Sequence, residues 1–219
     1  MTTMLDFLKE NVEIVQIAAS LTTTVVWLVY LHIFLSGYIQ QRRSSILINR
    51  GGGQDMQARC LVSNMGAQPA YLLDVLASLD TGEDVNVSSV VDREELRKEE
   101  MEQPANVTGQ GPIPSGGYVD IGTFKDVARR AGHSGDETDL QDRCLKLMAV
   151  CATNQANHVV AAVREFDMDA EGERVRLKPH KLEARQIRSR RRRKKITSML
   201  ERLETGASTR NLGAEFAKL

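Results

Sequence analysis

The chain has 219 residues, with 29 Lys and Arg against 29 Asp and Glu, so its formal net charge is zero. Hydrophobic residues at 42% and charged residues at 26% exclude wholesale disorder, and three scattered Cys exclude a disulfide scaffold. The zero conceals a segregation of charge. Residues 174–195 contain twelve basic residues and one acid, which leaves 17 basic and 28 acidic residues elsewhere, or +11 against −11. Such asymmetry indicates a segment with its own partner.

An uncharged segment near the N-terminus predicts a membrane anchor. The 28 residues 14–41 contain no Asp, Glu, Lys or Arg, and a bilayer core of ~30 Å needs about 20 helical residues. A core helix of a soluble protein would carry a charged face. A cleaved signal peptide would begin with a basic segment, whereas this chain begins with an acidic one. The sequence therefore predicts one transmembrane helix over 14–41, with the lipid bilayer as its partner.

The flanking charges predict the orientation of this helix. Lys9 is the only basic side chain before it, whereas Arg42, Arg43 and then Arg50 follow it. Because basic residues resist translocation, residues 1–13 are expected to be a short non-cytoplasmic N-terminus, with the rest of the chain cytoplasmic. We therefore expect a single-pass protein of the cell (inner or plasma) membrane, with Arg42 and Arg43 at the membrane flank.

The apolar segment contains a few polar side chains, whose roles can be interpreted in more than one way. Ser20 and residues 22–24 could form hydrogen bonds to another helix, but bonding to their own helix carbonyls is the favoured interpretation. His32 is an ionisable group inside the membrane. It lies close to the expected cytoplasmic boundary, so we interpret it as neutral or reaching the headgroups.

The remainder predicts a mainly β fold, with a cytoplasmic, Ig-like antiparallel β-sandwich over 44–181. Turn signals separate eight short runs, most of them with alternating hydrophobicity, and about seven strands are expected among them. The runs are 44–50, 58–66, 70–80, 83–92, 118–122, 143–153, 158–169 and 174–178. The clearest is a hairpin that joins 143–153 to 158–169 through a turn at 154–157.

Two segments depart from the strand pattern. Residues 92–117 begin acid-rich and continue with Pro and Gly, which predicts an acidic loop insertion. Residues 124–131 predict a short helix that ends at Gly132. His133 follows, near Asp136, Glu137 and Asp139, and we interpret this group as a solvated loop.

Motifs for chemistry are missing from the sequence. Cys60, Cys144 and Cys151 lack C-x-x-C spacing and do not pair with His at metal-ligand spacing. All three lie in predicted apolar strand faces, so buried free thiols are expected. The sequence has no phosphate loop, G-x-S-x-G or H-E-x-x-H. We therefore predict no catalytic residue, cofactor or metal, and a protein that is not an enzyme. An enzyme with a site assembled from loops is the third hypothesis, without nominated residues.

The basic segment predicts one helix over 182–204 that is basic first and amphipathic at its end, followed by a flexible tail at 205–219. Its apolar positions at helical spacing are Ile196, Met199, Leu200 and Leu203. We call its seven phosphate-binding candidates the basic cluster. They are Arg188, Arg190, Arg191, Arg192, Arg193, Lys194 and Lys195.

Three partners compete for the basic cluster. Anionic lipid headgroups lie close to any anchored protein. Nucleic acid suits an Arg-rich segment, although no aromatic residue is interleaved for base stacking. The acid-rich stretch 92–102 of the same or a neighbouring chain is the third.

The leading hypothesis is a membrane-anchored interaction module, a scaffold or adaptor, with a polybasic helix on anionic lipid. The alternative is a membrane-tethered nucleic-acid-binding protein. A protein partner is expected, and a homo-oligomer is compatible with the sequence. Cutting the chain before Arg174 is expected to leave a strongly acidic protein.

Overall fold

The computed structural model describes residues 11–41, 44–80, 85–92, 108–154, 159–172, 174–205 and 212–219. The chain divides into two compact units, residues 1–43 and residues 44–219. The predictions for the first ten residues, for Arg42 and Arg43, and for most of the 92–117 insertion lie outside the described residues.

The first unit contains helix α1, Val12–Gln41. It is long and apolar enough to cross a membrane, and its side chains from 12 to 39 are all exposed. The hydroxyls of Thr22, Thr23 and Thr24 donate to helix carbonyl oxygens four residues earlier, at 2.8–2.9 Å. This geometry confirms the expected bonding of these hydroxyls to their own helix.

The second unit is mainly β, and strands hold 40% of the chain. Its strands, in chain order, are β1 Ile46–Gly51, β2 Arg59–Asn64, β3 Ala70–Asp80, β4 Val85–Ser89, β5 Gly111–Ile113, β6 Tyr118–Thr123, β7 Arg143–Ala152, β8 Val160–Glu171, β9 Arg174–Pro179 and β10 Arg185–Ile187. Every pairing is antiparallel. One sheet has the order β1-β2-β6, and the other β10-β8-β7-β3-β4, with β5 on β3 and β9 on β8.

Side chains from both sheets form one buried core. Ile48 and Val62 of the small sheet belong to the same apolar cluster as Leu147 and Phe166 of the large sheet. Helix α2, Phe124–Arg130, also contributes to this core, because Phe124 packs edge-on against Phe166 with ring centroids 4.9 Å apart. The expected short helix at this position is therefore confirmed.

A buried cation joins the two sheets. Arg164 of β8 is 8% exposed, and its guanidinium donates to the carbonyl oxygens of Ile48 at 2.6 Å and Leu182 at 2.8 Å. Burial, together with nearby Arg50, lowers the pKa of Arg164. Because its guanidinium donates to backbone carbonyls of two segments and to the side-chain oxygen of Asn49, Arg164 has a structural role.

The outer face of the large sheet carries a second apolar cluster. Met148 and Val163 pair across β7 and β8, and both are buried. Helices α3, Arg190–Glu204, and α4, Leu212–Ala217, cover them with further apolar side chains. The helix residues of this cluster that are buried are Ile196, Met199, Leu212 and Phe216, with Leu219 beyond α4.

The structure differs from the sequence prediction at the C-terminal end. The segment 182–204 is not one helix, because residues 185–187 pair with β8 as strand β10 and α3 begins at Arg190. The expected flexible tail at 205–219 instead contains α4, whose Leu212 and Phe216 are buried. Strand β5 lies in the expected loop insertion. The described part of the chain thus has ten strands rather than about seven.

Candidate functional site

The basic cluster lies at the start of helix α3, with Arg188 just before the helix and the other six members in its first two turns. The helix begins after Ser189, and it is anchored through Ile196 and Met199, which are 0% exposed. Fully burying a side chain of this size contributes about 1.5–3 kcal/mol. The apolar face therefore fixes how the helix lies on the sheet, and the first turns carry the cations.

Most of the basic cluster faces solvent. The exposed members are Arg188, Arg190, Arg191, Arg192 and Lys194. Arg193 is half-buried, and its Nε donates to the carbonyl oxygen of Ile187 at 2.9 Å. Burial and the neighbouring charge of Arg188 lower the pKa of Arg193. Lys195 is also half-buried. The structure thus places the predicted residues together and presents five of them outward.

These cations lie where a helix tolerates them least. The N-terminal end of a helix carries about half a positive charge, which favours acids and disfavours bases. The first turn of α3 has no acid, and the Ser189 side chain makes no capping hydrogen bond. Among the residues that the structure describes, no carboxylate lies within ion-pair distance of the basic cluster. The arrangement can attract an anion from outside the described part of the chain.

The loop around His133 is held together locally. His133 Nε2 lies 2.9 Å from the Asp136 carbonyl oxygen, and the Asp139 carboxylate accepts from the Asp136 amide at 3.1 Å. Lys125 and Glu137 form an ion pair at 2.8 Å on the rim of an open cleft of about 490 Å³. These contacts agree with the interpretation of a solvent-facing loop.

The three cysteines occupy different environments. Cys60 and Cys151 are buried, and burial raises the pKa of each thiol to about 12. Cys144 was also expected in an apolar face, and this expectation is wrong. It is half-buried beside Asp167, and burial with the nearby carboxylates of Asp167, Glu165 and Asp80 raises its pKa to about 11.

Cys144 belongs to a polar group on the outer face of the large sheet. Cys144 of β7 lies directly opposite Asp167 of β8, and His180 follows β9. The three side chains each offer a ligand atom, and these atoms lie within 4.8 Å of one another. His180 Nε2 is 2.5 Å from Asp167 Oδ1. A thiol, an imidazole and a carboxylate therefore meet at one point.

Glu165 and Lys146 border this group. Glu165 Oε2 lies 3.4 Å from His180 Nδ1, so both nitrogens of the imidazole face carboxylates. Lys146 Nζ lies 3.4 Å from Glu165 Oε1 and also donates to the Ala217 carbonyl oxygen at 3.2 Å. Lys146 thus separates the polar group from the apolar area under α4.

The predicted hairpin already contained the signal for this group. Counting equal arms outward from the 154–157 turn puts Cys144 opposite Asp167. The same count from the turn between β8 and β9 puts His180 level with Glu165, where the His180 amide donates to the Glu165 carbonyl oxygen at 3.0 Å. A search for ligands by sequence spacing misses such groups, because register, not spacing, brings them together.

Comparison of the chain with models of known protein families, with curated proteins and with solved structures finds no match.

Proposed function

We propose that this protein is a single-pass membrane protein whose cytoplasmic β-domain is an interaction module, held against anionic lipid by the basic cluster. The observation that carries the proposal is the display of five exposed cations, Arg188 just before α3 and four residues on its first turns, while another face of that helix is buried on the sheet. We further propose that the domain is an Ig-like β-sandwich that binds a protein partner and has no catalytic activity.

The helix and the flanking charges support the anchored arrangement. Helix α1 has the length and apolarity for one crossing, and Lys9 against Arg42 and Arg43 favours a non-cytoplasmic N-terminus. An anchored β-domain meets lipid headgroups at a high local concentration, so even a weak attraction to them has an effect.

The energetics favour lipid once the anchor is in place. Each Lys or Arg near an anionic bilayer surface contributes about 1 kcal/mol. Five exposed cations therefore supply a substantial attraction without the aromatic residues that single-stranded nucleic acid requires for stacking. The anion would also compensate the unfavourable charge at the start of α3.

Vesicle co-sedimentation of residues 44–219, which form a compact unit, tests the lipid role. We expect binding to vesicles that contain phosphatidylglycerol and not to vesicles of phosphatidylcholine alone. Substituting Arg190, Arg191 and Arg192 by Gln should weaken this binding about 100-fold, because three contributions of about 1 kcal/mol are removed.

The matched control removes the same charge elsewhere. Arg174, Lys178 and Lys181 are exposed, and their substitution by Gln should weaken binding much less. Equal losses in both triple variants would show that net charge, and not the basic cluster, attracts lipid. Salt-dependent binding to RNA or DNA without binding to anionic vesicles would favour the nucleic-acid alternative instead.

A further inference from the structure

The polar group on the outer face of the large sheet has the composition of a transition-metal site. It combines a thiol (Cys144), an imidazole (His180) and a carboxylate (Asp167), the three side-chain types that bind Zn²⁺. We propose that Cys144, Asp167 and His180 bind one Zn²⁺ ion, with solvent at the fourth coordination position. This site shares no residue with the basic cluster, so the zinc proposal does not depend on the proposed lipid role.

The backbone holds the three ligands in place. Cys144 and Asp167 are a cross-strand pair, and their side chains therefore leave the sheet on the same face. His180 is fixed by its amide, which donates to the carbonyl oxygen of Glu165. Glu165 lies two residues before Asp167 on β8. Three ligands on two regular strands and one strand end need little ordering when a metal binds.

The spacing is close to that of a bound ion. Ligand atoms around a tetrahedral Zn²⁺ are separated by about 3.5 Å, given metal–ligand bonds of about 2.0–2.3 Å. The ligand atoms of the group lie within 4.8 Å of one another, and Asp167 Oδ1 and His180 Nε2 are 2.5 Å apart. Side-chain movements of about 1 Å would bring all three ligand atoms to coordination distance from one ion.

The surroundings supply the outer shell that zinc histidines require. A histidine on zinc usually donates its other ring nitrogen to a carboxylate or carbonyl, which fixes its orientation. With Nε2 on the metal, His180 Nδ1 faces Glu165 Oε2 at 3.4 Å. Glu165 is in turn held by Lys146 at 3.4 Å.

The charges also balance. On binding, the Cys144 thiol releases its proton to solvent and coordinates as thiolate, while His180 coordinates as the neutral imidazole. The thiolate and the Asp167 carboxylate then neutralise the two positive charges of the ion. Ca²⁺ and Mg²⁺ fit less well, because they prefer sets of oxygen ligands, whereas Zn²⁺ accepts sulfur, nitrogen and oxygen ligands in a tetrahedral arrangement.

Cobalt substitution provides the test. Tag-free full-length protein in detergent, kept reduced by a phosphine, is titrated with Co²⁺ and followed by absorption. We expect one equivalent to bind, with the d–d bands of a tetrahedral ion and a thiolate-to-cobalt charge-transfer band. Added Zn²⁺ should displace the cobalt and abolish both.

Variants identify the ligands. Cys144→Ser should abolish the charge-transfer band, and Asp167→Asn or His180→Ala should weaken cobalt binding at least about tenfold. Glu165→Gln should weaken it about tenfold through His180. Circular dichroism verifies that each variant is folded, and His180 is exposed enough that its removal leaves the core intact.

Control variants have the same chemistry away from the site. They are Cys151→Ala on the inner face and His133→Ala in the loop, and both should bind cobalt like the parent. The proposal is overturned if the parent binds no cobalt, or if its spectrum survives Cys144→Ser or His180→Ala unchanged.

Discussion

At the scale of single residues, Asp74 and Cys144 on the outer face of the large sheet both have raised pKa values. Asp74 of β3 lies beside a β-bulge, and its Oδ1 accepts from the Ser89 hydroxyl at 2.6 Å. Burial nevertheless raises the pKa of Asp74 to about 6, and the charges of Asp92 and Glu204 act in the same direction. Asp74 therefore lowers stability when it is ionised.

We predict that Asp74→Asn stabilises the protein at neutral pH. The pKa of this acid is higher in the folded state (about 6) than its ordinary value of 3.8, so the folded state binds the proton more tightly. Its unfavourable effect is absent below about pH 4 and complete above about pH 6. The neutral amide should add about 1–3 kcal/mol to the free energy of unfolding at pH 7 and nothing at pH 4.

Urea unfolding of residues 44–219 at several pH values measures this effect. Asp169→Asn, which changes an exposed carboxylate on β8, serves as the control and should change the urea midpoint little. A gain of equal size at pH 4 and pH 7 for Asp74→Asn would contradict the electrostatic explanation and point to packing.

At the scale of elements, sequence patterns predict strands well where turn signals bound a run of five or more residues. The run 70–80 was predicted as a strand despite imperfect alternation, and it forms β3 over the same residues. The runs 143–153 and 158–169 form the hairpin of β7 and β8. Turn signals at both ends of these runs determine where a strand begins and ends.

Shorter elements were missed because they carry too little pattern. Strands β5 and β10 have three residues each, which is less than two periods of alternation. Residues 185–187 also precede a long basic run, and so were assigned to its helix. The metal-type group was missed for a related reason, since the sequence places Cys144 and His180 far apart and only strand register joins them.

Helix α3 carries a prediction of its own, because its charges oppose helix stability. Cations at the positive end of a helix cost about 0.3–1 kcal/mol each, and like charges four residues apart add to this cost. Replacing Arg190, Arg191 and Arg192 by Gln should therefore raise the free energy of unfolding by about 1 kcal/mol at low salt. The gain should disappear at high salt, where the charges are screened.

The same triple variant is expected to lose binding to anionic vesicles. Thermal unfolding at low and high salt, beside the vesicle assay, then measures both effects on one protein. A variant that is less stable than the parent at low salt would contradict this prediction. These arginines would then support the fold, and stability alone would explain why they are clustered.

At the scale of the whole molecule, the segregation of charge is built into the fold. The basic segment 174–195 is not a separable tail, because it contains β9, β10 and the start of α3. Val175 and Leu177 are buried in the inner core, and Ile187 is buried in the outer cluster. Cutting the chain before Arg174 would thus remove parts of both clusters, so the acidic remainder expected from the sequence should not fold.

A smaller truncation tests whether the C-terminal helices are part of the folded unit. A chain that ends at Thr205 loses α4 and with it three large buried side chains, Leu212, Phe216 and Leu219. At about 1.5–3 kcal/mol for each large side chain, the loss is of the order of the 5–15 kcal/mol that stabilises a typical domain. We therefore expect a marked fall in the urea midpoint of residues 44–205 relative to 44–219, with binding of a hydrophobic dye to the exposed sheet face.

Point variants separate this packing effect from loss of chain length. Phe216→Ala should cost about 3–5 kcal/mol, because Phe216 is 0% exposed and its removal leaves a cavity over the sheet. Ala214→Ser, on the exposed side of α4, should change the midpoint little. If truncation and Phe216→Ala both leave the midpoint unchanged, α4 does not contribute to the cooperative unit. A strong loss in both would show that the outer sheet face needs its helices. The position of α3 on the sheet, and with it the direction in which the basic cluster points, would then depend on residues 212–219.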